Sequence, residues 1–130
     1  MHLIMVRVLL AQFALETHSR GMLTIAQYFR DAGAEVILLG NGTPQHIINA
    51  AIQEGVDVIG ISTYCGGEVL LGQSLIAESK YRGVADMKFI IGGVFPQSDV
   101  PKLYEIGFNR VFLSASRDDI TSYISSIRKG

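Results

Sequence analysis

The chain has 130 residues, 48% of them hydrophobic and 18% charged, with a formal net charge of −1. That suits one domain with one core and excludes a disordered chain; with no basic stripe or charge run, nucleic acid is excluded as a partner. No apolar run is long enough to cross a membrane, and the single cysteine, Cys65, excludes an internal disulfide and fits a reducing cytoplasm.

The first apolar run, 4–11, lies in "HLIMVRVLLAQF" and reads as a buried strand. Arg7 inside it, and the lack of a small-residue cleavage site, speak against a signal peptide. A short loop, "ETHSRG" (16–21), leads into a helix over 21–32, where Met22, Ile25, Ala26 and Phe29 recur on one face and Gly33 ends the pattern. A strand over 35–39 follows, with "GNGT" read as a plain turn. Thr43-Pro44 then opens a helix over 44–54 with a cap and a proline at its first position, and Gly55 closes it. The third strand, 56–61, runs into "STYCGG" (62–67). Glu68 suits the start of the helix that follows, 68–82. A strand over 88–91 ends in "GG" (92–93). A helix over 97–106, a strand over 110–113, a plain turn at "SASR" and a helix over 117–128 complete the chain.

Five strand-then-helix units predict an α/β fold: a single flavodoxin-like (Rossmann-like) doubly wound sheet of five parallel strands in the order 2-1-3-4-5, one domain over 1–130. "VDVIGIS" and "KFIIGG" are almost continuously apolar, as parallel strands covered on both faces must be. Ligands of such sheets bind outside the carboxyl ends of the strands, near the switch point between the first and third. "ETHSRG", "STYCGG" and "GG" fall at the ends of strands one, three and four, and so converge on one rim. The mean hydropathy of +0.32 is high for a lone soluble domain and points to a face covered by a partner.

Each motif has two readings at this point. His18 is either a solvated loop histidine or a metal ligand whose second nitrogen bonds the nearby Glu16. Ser62 either caps a turn or donates to a ligand, and Thr63 could do either. Gly66 and Gly67 suit a helix entry approached closely by a ligand, or a simple turn. Gly92 and Gly93 either loosen the end of a strand or make room for a ligand chain. His2, His46, Cys65, Met22 and Met87 carry no functional expectation; Met22 and Met87 read as core.

Taken together the motifs resemble the cobalamin-binding domain of adenosylcobalamin-dependent mutases. That family carries Asp-x-His-x-x-Gly, Ser-x-Leu and Gly-Gly at these three strand ends. Forty residues (22–61) separate the first motif from the second, and twenty-seven (65–91) the second from the third, as in the family. "RVLLAQ", "RDAGAEVILLG", "TPQHIINAAIQEGVDVIGIS" and "FIIGGVFPQSDVPKLYEIG" are similar to the carboxy-terminal domain or small subunit of methylmalonyl-CoA mutase. Glu16 stands where the family has Asp, and Tyr64 where it has Leu.

The resemblance implies adenosylcobalamin as cofactor, bound base-off, with His18 as the lower axial ligand to cobalt. It implies that Glu16, Thr17, Ser19, Arg20 and Gly21 form the loop around that ligand. Ser62, Tyr64, Gly66, Gly92 and Gly93 would meet the cofactor's nucleotide tail. It implies an isomerase subunit in the cytoplasm that works with a large mutase subunit, whose barrel domain holds an acyl-CoA substrate. The alternative is a stand-alone corrinoid carrier or cobalamin sensor. Methyl-transfer corrinoid proteins usually place a helical bundle ahead of the sheet, whereas this sequence opens on its first strand. A receiver domain needs clustered acids after strand one, and a dinucleotide site needs Gly-x-Gly-x-x-Gly there; "AQFALETHSRG" offers neither.

Overall fold

A computed structural model of the chain describes residues 5–13, 20–64 and 66–128. Strands and helices alternate throughout: β1 (Arg7–Phe13), α1 (Arg20–Asp31), β2 (Glu35–Gly42), α2 (Pro44–Glu54), β3 (Val58–Thr63), α3 (Glu68–Tyr81), β4 (Lys88–Gly93), α4 (Val100–Ile106), β5 (Arg110–Leu113) and α5 (Arg117–Arg128). The strands form one parallel sheet in the order β2-β1-β3-β4-β5, as the alternation predicts.

The pleat of each strand divides its side chains between two cores. Leu9, Ala11 and Phe13 of β1 pack with Ile47 and Ile48 of α2, Leu75 of α3 and Leu103 of α4. Val8 and Leu10 point the other way, toward Ala26 and Phe29 of α1 and Ile120 and Ile124 of α5. Several of these side chains are wholly shielded from solvent. Each such burial contributes about 1.5–3 kcal/mol. Local signals agree with this packing. Thr43 caps α2 by accepting from the His46 amide at 3.2 Å, Pro44 follows it, and Gly55 closes the helix in the left-handed conformation. His46 itself is exposed. Met22 is buried and Met87 half-buried, both packed in the cores.

The strands differ from the sequence reading mainly at their carboxyl ends. β1 starts at Arg7 and reaches Phe13; β2 extends to Gly42, β3 to Thr63 and β4 to Gly93. Apart from Phe13, the added residues are polar or glycine, so hydropathy gave no reason to include them. The ladder, however, is made by backbone groups and continues past the apolar run. "GNG" is therefore strand rather than turn: Gly40 takes a positive φ of 87° where the β1–β2 register shifts, and Asn41 and Gly42 then pair with Gln12 and Phe13. The expected helix over 97–106 is a 3-10 turn, Gln97–Asp99, followed by α4, with Pro101 in the first helical turn.

Candidate functional site

The extended strand ends build the site. Leu10, Gly60 and Ile90 lie side by side across β1, β3 and β4, and one step nearer the rim Ser62, Gly92 and Phe112 line up across β3, β4 and β5. All six belong to the face covered by α1 and α5. Three adjacent positions, Gly60, Ser62 and Gly92, carry little or no side chain. A trough therefore runs along the β3–β4 seam, with Leu10 on one flank and Phe112 on the other. A side chain at position 60 would fill it: a Cβ there would stand 2.7 Å from Leu10 Cδ2 and 3.3 Å from Ile90 Cγ1.

Helix α1 lies over the trough with Met22, Ile25, Tyr28 and Phe29, and α5 closes the other side with Ile120. The cleft has a volume of about 780 Å³, within the range of small-molecule and cofactor sites. Its walls are apolar and aromatic, and among the described lining residues Arg20, the first residue of α1, is the only charged one. The mouth lies at the carboxyl rim. There Gly93 has a φ of 141°, and a Cβ on it would collide with the Thr63 carbonyl. Val94 N–H donates to that carbonyl at 3.2 Å, and Ser114 N–H to the Gly93 carbonyl at 3.2 Å, so the three strand ends are tied together.

Of the expected site residues, Arg20, Gly21, Ser62, Tyr64, Gly92 and Gly93 come together around this cleft. Ser62 is half-buried, and its hydroxyl bonds no described residue. Helix α3 takes Gly67 as its cap with no side-chain bond, so neither Ser62 nor Thr63 serves there. Tyr64 lies across the mouth against Gly21: a Cβ at position 21 would come within 2.8 Å of its Cζ. Gly66 is exposed on the approach to α3 and does not line the cleft. Glu16, Thr17, His18 and Ser19, with His2 and Cys65, lie outside the described residues.

The sequence reading passed over several lining residues. Gly60 had a signal, a lone glycine inside an apolar strand, which often marks close approach of a ligand or another chain. Phe112 reads as ordinary core. Ser114 and Ala115, in the supposed plain turn "SASR", line the cleft as well, and Ser114 holds a φ of 55° that is uncommon for a residue other than glycine. Glu68, expected only to favour a helix start, is buried, and its Oε1 has no hydrogen-bond partner among the described residues.

An open parallel sheet with an apolar cleft at its carboxyl rim has the form of a small-molecule or cofactor-binding domain. A model of the B12 binding domain matches residues 6–117. The chain is 38% identical over 109 residues to the 2-hydroxyisobutanoyl-CoA mutase small subunit of Aquincola tertiaricarbonis, covering 83% of this chain and 80% of that protein. It is 32% identical over 123 residues to the pivalyl-CoA mutase small subunit of Xanthobacter autotrophicus, covering 93% and 82%. Against the methylmalonyl-CoA mutase large subunit of Streptomyces virginiae it is 33% identical over 110 residues, which is 82% of this chain and 15% of that one. Among solved structures, a cobalamin-binding protein from Desulfitobacterium hafniense superposes with a TM-score of 0.77 at 17% identity, over 95% of this chain and 58% of that one; this likeness speaks for the fold alone. The chain belongs to the B12-binding domain family, and cobalamin is its cofactor.

Proposed function

We propose that the chain is the cobalamin-holding small subunit of an acyl-CoA carbon-skeleton mutase, with the cofactor's nucleotide tail lodged in the trough. The trough itself carries the reading. It carries little or no side chain along Gly60, Ser62 and Gly92 and is apolar on its walls. An aromatic base fits such a slot between Leu10 and Phe112, and the Ser62 hydroxyl can donate to a ring nitrogen there.

In this reading the trough would hold the cofactor's own base, and His18 would supply the protein's nitrogen to the cobalt. Glu16, two residues away, accepts from the second imidazole nitrogen and fixes the tautomer. Arg20 at the mouth complements the anionic phosphodiester of the tail. When bound, adenosylcobalamin supplies the weak cobalt–carbon bond whose homolysis starts a carbon-skeleton rearrangement. The chain's own part is to bind, orient and shield.

The relatives named as small subunits support a large partner subunit for this chain. Leu23, Leu70, Val94 and Leu113 are exposed and lie at or near the ends of elements that meet the carboxyl rim, which suits a surface that a partner covers. Among the described residues no helix is long and apolar enough to cross a membrane.

The test is an ultraviolet–visible titration with adenosylcobalamin. Binding should move the spectrum to that of base-off cofactor with a nitrogen ligand, and His18→Ala should change it again. If the mutant spectrum matches wild type, His18 is not the ligand.

A further inference from the structure

Arg117, the first residue of α5, reaches across to α1. Its guanidinium lies over the ring of Tyr28, 5.0 Å from the centroid, and it also pairs with Asp31 one turn further along α1. Asp31 is held in turn by Gln27, whose Nε2 donates to Oδ1 at 2.8 Å. Tyr28 lines the cleft, and so do Ala115 and Ile120, which flank Arg117 in sequence. One side chain thus joins the two helices that form the cleft's outer wall.

From this juxtaposition we infer that Arg117 is a positioning residue for the cofactor: by stacking on Tyr28 and pairing with Asp31 it sets the spacing of α1 and α5 and so slows release of the tail. The inference rests on the reading of the cleft as the tail site. The groups facing Arg117 are an aromatic ring and a carboxylate, so both contacts attract a cation. Both are also partly open to water: the side chains of Arg117 and Asp31 are 57% and 37% exposed. The clasp is therefore of modest strength, screened by salt, and able to open without unfolding the domain. Arg128 ties α5 to the turn that follows α1, donating to the Gly33 carbonyl at 3.1 Å, but it is not among the residues lining the cleft and serves as a control.

The experiment measures adenosylcobalamin release from the full chain after dilution, together with amide exchange over 20–31 in cofactor-free protein. Arg117→Ala should speed release about threefold to tenfold and raise exchange in α1, Arg117→Lys should restore much of the loss, and Arg128→Ala should leave release unchanged. Release from wild type should also quicken with salt, and that dependence should flatten in Arg117→Ala. Unchanged release and exchange in Arg117→Ala would overturn the inference, as would equal acceleration by Arg128→Ala. If wild type binds no cobalamin, the tail-site reading fails; α1 exchange in Arg117→Ala still decides whether the clasp exists.

Discussion

Ser62 pairs with Gly92 across the β3–β4 seam, at the level where both strands have left apolar sequence behind. Beside this pair, Thr63 pairs with Gly93, and the Thr63 carbonyl occupies the space where a side chain at 93 would go. The rim is thus built by regular ladder carried into residues without bulk, and the trough is a gap in side chains rather than a gap in the sheet.

Gly93→Ala should be strongly destabilising. The position combines a φ of 141° with backbone, not a flexible side-chain tip, where the Cβ would stand. A loss of about 2–4 kcal/mol is expected from strain and displacement together. Urea unfolding of the mutant beside wild type measures it; a change below half a unit of that scale would mean the rim is softer than described.

Tyr123 makes a different prediction. Its ring packs edge-on against Phe112 at 6.1 Å, and its buried hydroxyl has no hydrogen-bond partner among the described residues. Burial pushes the phenol up to about 12 from its ordinary 10.0, while the nearby Arg110 charge pulls it down. The folded state therefore holds this proton more tightly than the unfolded state. The resulting stability is complete below pH 10.0 and is lost as pH rises toward 12. Tyr123→Phe should abolish that alkaline loss and, by removing an unsatisfied hydroxyl, leave stability at pH 7 equal or about 1 kcal/mol higher. Thermal melts from pH 8 to 12 on both proteins test this.

Asp31 works at the acid end. The Gln27 hydrogen bond, then the Arg117 guanidinium, hold its carboxyl below the ordinary 3.8. Its contribution is present above pH 3.8 and disappears as pH falls through the lowered value. Melting curves between pH 2 and 5 should show wild type losing more stability than Asp31→Asn over that window, with the two parallel at neutral pH. Parallel curves throughout would show that the carboxylate makes no net contribution.

The sequence carried the architecture because periodicity and punctuation agreed at each element. Ile47, Ile48 and Ala51 marked the buried face of α2, while Thr43, Pro44 and Gly55 marked its ends. The candidate site was legible where residue type is tied to backbone demand, as at Gly93. It was hidden where the role depends on neighbours across the sheet. Gly60 is informative only once Leu10 and Ile90 are known to flank it, and Ser114 only once β5 is placed beside β4. The Arg117–Tyr28 contact joins elements 89 positions apart, and no local pattern announces it.

The central claim is that the trough receives the nucleotide tail, and Gly60→Val tests it most directly when titrated with two corrinoids. Cobalamin has the tail; cobinamide lacks it. A valine at 60 fills the trough and, with its Cβ 2.7 Å from Leu10 Cδ2, also presses on the core, so the melting temperature should fall; well below it, cobalamin affinity should drop by more than about tenfold while cobinamide affinity stays close to wild type. Equal cobalamin affinity in Gly60→Val and wild type, or an equal loss for both corrinoids, would contradict the account.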